Sequence, residues 1–244
     1  MREGLVNQTK KTIGIIGGMG PLATCDLYKK IIENTDAATD NEHIHLLIDS
    51  NNTIPDRTRA ILSGGESPVP HLSASARRLQ DMGADFLVMP CNIAHYFIGE
   101  VQSAVSIPLL DMVSETAAEL QRIGIKKVGI LATEGTLQAG IYDRELSRAG
   151  IDFVKPSERE RRAIMGMIYD CVKAGDYRYD IAPFRAACER LLEDGAQALV
   201  LGCTELPIAF EVFALKYPHV DPTLILARAA VRYAGYRVRG EEPL

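Results

Sequence analysis

No stretch of this sequence approaches the roughly 18 consecutive apolar residues of a membrane span, which argues against a membrane protein. No Cys-x-x-Cys pair occurs among the five cysteines, whose number is odd and whose spacings are long. That argues against a zinc ribbon or a thioredoxin-type site, and no metal is expected. Basic residues are not in excess: 27 Lys and Arg against 32 Asp and Glu leave a net charge of −5. Binding to nucleic acid needs a basic face, so nucleic acid is not the expected partner. The start, Met1 to Lys11, is polar and lacks the apolar run of a secretory signal. A cytoplasmic protein with free thiols is the expectation.

What remains is ordinary globular composition, 47% apolar and 24% charged. At 244 residues, one large domain or two of about 110–120 residues each can bury a core.

The two halves of the chain echo each other. Gly83-Ala84-Asp85-Phe86-Leu87-Val88-Met89-Pro90-Cys91-Asn92 resembles Gly195-Ala196-Gln197-Ala198-Leu199-Val200-Leu201-Gly202-Cys203-Thr204. Each is an apolar strand that ends at Cys and a small polar residue. A second echo pairs Lys11-Thr12-Ile13-Gly14-Ile15-Ile16 with Lys126-Lys127-Val128-Gly129-Ile130-Leu131. Two strands repeating in the same order at nearly the same offset imply two α/β domains related by pseudo-twofold symmetry. Residues 1–112 and 113–214 are the expected units, with 215–244 able to return to the first. Strands alternating with helices imply parallel sheets covered on both faces. Ligands in such folds sit beyond the carboxyl ends of the strands, here in a cleft between the domains.

Along the first half, strands are expected at 12–16, 45–49, up to Cys91, and at 107–111. Helices are expected at 22–34, 72–82 and 113–123. In the second half, strands are expected at 126–131, 152–154 and up to Cys203, with helices at 140–149, 158–174, 183–194 and 224–234. Gly17-Gly18-Met19-Gly20 after the first strand is neither G-x-G-x-x-G with its acidic partner nor a phosphate-binding Gly-Lys-Ser/Thr loop. It is a tight turn or a carboxylate cradle of backbone N–H groups at a helix start.

Cys25, Cys171 and Cys188 are expected as small buried packing residues. Cys91 and Cys203 differ, because both fall where strand gives way to loop or helix, and donors there stabilise a thiolate. Asn92 and Thr204 follow them directly and offer an amide and a hydroxyl. His95 is a structural hydrogen-bonder or a catalytic group. Glu205 orients a substrate ammonium, tunes the thiol, or is a solvated loop acid. Arg57, after the second strand, offers a two-pronged match to a carboxylate. Lys173, read alone, complements a helix dipole. Two opposed thiols suit an inversion, in which one takes a proton from a carbon and the other returns one from the opposite face. The developing carbanion then needs positioned N–H and cationic donors.

Ile15-Ile16-Gly17-Gly18-Met19-Gly20-Pro21, Ile54-Pro55-Asp56-Arg57-Thr58, Pro90-Cys91-Asn92-Ile93-Ala94-His95 and Leu201-Gly202-Cys203-Thr204-Glu205-Leu206-Pro207 together resemble the aspartate/glutamate racemase family, nearest to its aspartate racemase branch. The likeness runs from about Thr12 to Ala234. It implies a cofactor-independent racemase of two α/β domains, commonly a homodimer, acting on a small amino acid. It implies Cys91 and Cys203 as the acid/base pair. Asn92, Ile93, Thr133 and Thr204 would hold the α-carboxylate and amino group. Arg57 and Lys173 would take the side-chain carboxylate, with Met19, Asn52 and Glu205 as further substrate contacts. The glutamate branch has an Asp-Ser pair near the first glycine loop and His after the second Cys-Thr; Met19 and Glu205 here depart from it. Ile93 stands where the family usually has Thr, which leaves the substrate open. Isomerisation or decarboxylation of a dicarboxylic acid, and non-catalytic binding of a small carboxylate, are the competing readings.

Overall fold

The computed structural model describes residues 10–241. Most of the polar start, Met1 to Lys11, lies outside the described residues. The first half of the chain runs β1 (Ile13–Gly17), α1 (Pro21–Asn34), β2 (Leu46–Ser50), α2 (Arg57–Leu62), α3 (Val69–Asp81), β3 (Phe86–Val88), α4 (Ile98–Gln102) and α5 (Met112–Arg122). The second runs β4 (Lys127–Ala132), α6 (Glu134–Ala139), α7 (Ile141–Arg148), β5 (Asp152–Val154), α8 (Glu158–Gly166), α9 (Ala182–Glu193), β6 (Ala198–Gly202), α10 (Leu206–Val212), β7 (His219–Val220) and α11 (Pro222–Tyr233).

Both sheets are parallel, in the orders β2-β1-β3 and β5-β4-β6-β7. Ile13 pairs with Leu46 on one side and Phe86 on the other. Val128 pairs with Phe153 and Ala198 in the same manner. All five residues of β1 are buried, as expected of a strand covered by helices on both faces.

The repeat reaches into the packing. A methyl group at Gly14 would come within 2.6 Å of Leu87 Cδ2, and one at Gly129 within 2.9 Å of Leu199 Cδ2. Behind each glycine the covering helix is also close, at Leu79 Cβ (3.2 Å) and Leu191 Cβ (3.0 Å). The same comparison explains a difference from expectation at 107–111, where Leu109 makes only an isolated parallel bridge to Leu87. Pro108 supplies a carbonyl to Leu87 N–H but has no N–H to return. Pro218 does the same for Leu199 and keeps β7 to two residues. Pro108-Leu109-Leu110-Asp111 and Pro218-His219-Val220-Asp221 are thus counterparts, a third echo too weak in residue identity to stand out in the sequence. Asp111 and Asp221 both cap the helix that follows, Asp111 accepting from Val113 and Ser114 and Asp221 from Thr223.

These two helices are exchanged between the units. Val113, Ala117 and Leu120 of α5 pack with Val128, Ile130 and Tyr142 of the second unit. Leu226, Ala227, Ala230 and Val231 of α11 pack with Ile13, Ile15, Leu27 and Phe86 of the first.

Other differences are local. Gly140 takes a left-handed conformation (φ 62°) and separates α6, a helix that was not expected, from α7, which corresponds to the helix expected at 140–149. The segment after α8 widens into a π-helical stretch, Met167–Lys173. Arg57 opens a short helix where a loop was expected. Cys171 and Cys188 are buried, but Cys25 is exposed. On α1 the buried face is Ala23, Thr24, Leu27 and Ile31, and the helical repeat turns Cys25 away from it.

Candidate functional site

The carboxyl ends of the two central sheets meet at a narrow cleft. Cys91 arrives just past β3, and Cys203 directly follows β6. Both thiols are free, both line this cleft, and both are almost wholly buried, at 4% and 8% exposed. Met19, Arg57, Asn92, Ile93, Thr133, Lys173, Thr204 and Glu205 line it with them.

Asn52 does not join them. It is exposed on the turn after β2. The Asn51 side-chain oxygen accepts from Thr53 N–H at 3.0 Å across this turn. Asp56, Thr58, Thr136 and Tyr169 are further wall residues that the sequence motifs did not single out. Asp56 and Thr58 flank Arg57, and Tyr169 lies four residues before Lys173, so adjacency to the two cations was the signal available.

The surroundings of the two sulfurs differ. The Cys203 thiol donates to Glu205 Oε2 at 3.0 Å, while Lys173 Nζ pairs with Glu205 Oε1. Glu205 is buried, which removes the solvated-loop reading of that residue. Burial pushes the Cys203 thiol well above its ordinary value, the Glu205 carboxylate adds to this, and Lys173 opposes it only in part. Burial works against the Lys173 charge, but Glu205 outweighs it and holds the ammonium above its ordinary value.

Cys91 has a guanidinium for its neighbour instead. Arg57 donates through Nη1 to the carbonyls of Pro55 (3.0 Å) and Ile54 (3.3 Å), and through Nη2 to that of Met19 (3.4 Å). Burial again opposes the charge, and the Cys91 sulfur and Asp56 more than offset it. Three backbone carbonyls fix the fork, while Arg57 Nε has no hydrogen-bond partner.

Asn92 is set by the second unit. Tyr142 on α7 donates to Asn92 Oδ1 at 2.5 Å, and Asn92 Nδ2 is buried with no partner among the described residues. A buried unpaired N–H at a cleft wall is an available donor for a carboxylate oxygen. Thr133 caps α6, its hydroxyl accepting from Thr136 N–H at 3.3 Å and lying 3.0 Å from the Thr136 hydroxyl. His95 does not line the cleft; its ring lies between the Cys91 carbonyl and Met112 N–H. Among the described residues, no three His, Cys, Asp or Glu side chains gather as metal ligands would, and no helix is long and apolar enough to cross a membrane.

The duplicated α/β fold thus brings one buried thiol from each unit, the cations Arg57 and Lys173 and a spare amide donor to one cleft. The chain belongs to the Asp/Glu/hydantoin racemase family, whose model matches residues 16–230. A broad specificity amino-acid racemase, RacX, of Bacillus subtilis (strain 168) is 28% identical over 236 residues, covering 92% of this chain and 99% of that one. Among solved structures, Picrophilus torridus aspartate racemase superposes with a TM-score of 0.81 at 32% identity, covering 94% of this chain and 96% of its own. Glutamate racemase from Francisella tularensis subsp. tularensis SCHU S4, in complex with D-glutamate, gives a TM-score of 0.62 at 20% identity over 97% of this chain and 86% of its own, a likeness of fold. Family and relatives together support amino-acid racemase activity.

Proposed function

We propose that the protein inverts Cα of aspartate or a related acidic or small polar amino acid by proton transfer between two cysteines, without a cofactor. The observation that carries this reading is the pair of free, buried thiols reaching one cleft from matching strand ends of the two units. In one direction Cys91, as thiolate, takes the Cα proton and becomes a thiol. Cys203, as thiol, gives its proton to the opposite face and becomes a thiolate. The roles exchange for the reverse direction.

The surroundings of Cys203 support the thiol form for that residue. Glu205 accepts the Cys203 proton's hydrogen bond, which favours the thiol. Arg57 is the cation beside Cys91. For the developing carbanion, Asn92 Nδ2 is the spare donor for the α-carboxylate, with the Thr133 and Thr204 hydroxyls close by. Arg57 and Lys173 are the candidates for a side-chain carboxylate, and Met19 and Ile93 close the apolar wall. Lys173 is already matched by Glu205, so Arg57 carries more of that role.

The reading extends to a division near residue 112, with 215–244 completing the first unit, to a homodimer, and to a cytoplasmic setting. The α11 packing supports the first of these. The test is a screen of the common L-amino acids for Cα deuterium incorporation in heavy water without pyridoxal phosphate. Exchange with inversion on at least one of them is expected. Silence across the screen, with binding seen by calorimetry, would replace the enzyme by a carboxylate-binding protein.

A further inference from the structure

His95 is only 5% exposed, and its two ring nitrogens have different partners. Nε2 lies 3.1 Å from the Met112 amide, which can only donate. Nε2 therefore accepts and carries no proton. Nδ1, 2.9 Å from the Cys91 carbonyl, which can only accept, carries the proton instead. The ring is neutral, with one tautomer fixed by two backbone groups.

The groups it joins matter. One is the peptide of Cys91 itself. The other is the first N–H of α5, the helix exchanged onto the second unit. Asp111 satisfies the next two N–H groups, so the imidazole completes that cap.

The internal repeat supplies a control. Four residues after Cys203 stands Pro207, where the first unit has His95. Directly after the capping Asp221 stands Pro222, where the first unit has Met112. Proline has no N–H. The unit with the helix-start donor has the imidazole acceptor, and the unit without the donor lacks both. Cys203 is held through its side chain by Glu205, and among the described residues no carboxylate bonds the Cys91 thiol in this way.

We propose that His95 is a positioning residue, a neutral Nδ1–H bridge that aims the Cys91 thiol by tying its backbone to the exchanged helix α5. It touches no substrate. The proposal rests on Cys91 being a reacting thiol, and it adds what holds that thiol in place.

The experiment compares Met112→Pro with Met112→Ala. Both lose the same side chain, and only the first loses the N–H. Proline is tolerated at a first helical position, as Pro222 shows in the second unit. The Ala variant is expected to exchange deuterium at Cα within about twofold of the unaltered protein, and the Pro variant to lose about tenfold or more in kcat with KM nearly unchanged. Nitrogen-15 spectra are expected to show the Nδ1–H tautomer in the unaltered protein and the Ala variant, and a tautomer mixture in the Pro variant. His95→Gln, which keeps a donor and an acceptor, is expected to retain more kcat than His95→Leu.

Equal kcat in the Pro and Ala variants, or an Nε2–H or doubly protonated ring in the unaltered protein, would overturn the proposal. Should the unaltered protein exchange no amino acid, the racemase reading fails separately. The alkylation rate of Cys91 by iodoacetamide then decides: a difference between the Pro and Ala variants supports the bridge, and equality overturns it.

Discussion

The Cys203 thiol donates a hydrogen bond to Glu205 across 3.0 Å, and Lys173 pairs with the other oxygen of the same carboxylate. One residue thereby sets the protonation of one member of the thiol pair and neutralises a cation of the cleft. Glu205→Gln removes the negative charge and leaves Lys173 facing the sulfur. Both changes favour thiolate, so the Cys203 pKa should fall. The expected outcome is faster alkylation of Cys203 at pH 8, by about tenfold for each unit of pKa lost, up to the limit of full ionisation. The alkaline limb of the kcat–pH profile should move down with it, because Cys203 must be a thiol to donate. An unchanged alkylation profile would detach Glu205 from the thiol.

Stability should fall with alkali more steeply than in a chain whose thiols are exposed. Burial raises Cys203 well above its ordinary value and Cys188 to about 12. Above the unfolded thiol value of about 8.5, the unfolded chain releases protons that the folded chain keeps. The unfolded state then binds fewer protons, so stability is full below that pH and is lost as pH rises toward the folded values. Each such thiol contributes up to about 1.4 kcal/mol per pH unit. Denaturant midpoints between pH 8 and 10 check this, and Cys188→Ala should flatten the slope.

Tyr142→Phe leaves Asn92 Oδ1 buried without its donor. The expected cost is about 1–3 kcal/mol in thermal or denaturant unfolding. Asn92 also loses the bond that fixes its amide, so KM should rise and kcat/KM should fall by about tenfold. An unchanged KM would mean that Asn92 holds no substrate.

Gly135 lies where the units meet. A methyl group there would come within 2.4 Å of Ile93 Cδ1 and 2.9 Å of Thr58 Oγ1. Gly135→Ala is expected to cost about 1–3 kcal/mol. Ile93→Val removes the Cδ1 atom, so the double variant should recover a substantial part of the loss. Additive losses would place the strain elsewhere.

Much of this was legible in the chain, and for a physical reason. A doubly covered parallel strand must be apolar throughout, so β1, β3, β4 and β6 announce themselves, and duplication aligns β1 with β4 and β3 with β6. The thiol positions followed from that alignment. What escaped depends on contacts between distant residues. Pro108 and Pro218 truncate outer strands that composition alone would extend. Asn52 sits in the polar loop before Arg57, yet it is exposed and does not line the cleft. Cys25 is apolar by type but lies off the buried stripe of α1. Tyr169 reaches the cleft beside Lys173, its ring centroid 5.7 Å from Nζ, a proximity visible only once that face is known to line the site.

The two-thiol mechanism meets its most direct test in Cys91→Ala and Cys203→Ala, assayed one at a time for Cα exchange in heavy water on the substrate the screen identifies. Inversion should be lost in each single variant while both stay folded with both units intact. Racemisation at the unaltered rate in either variant, or a Cys91–Cys203 disulfide in the resting protein, would contradict the mechanism.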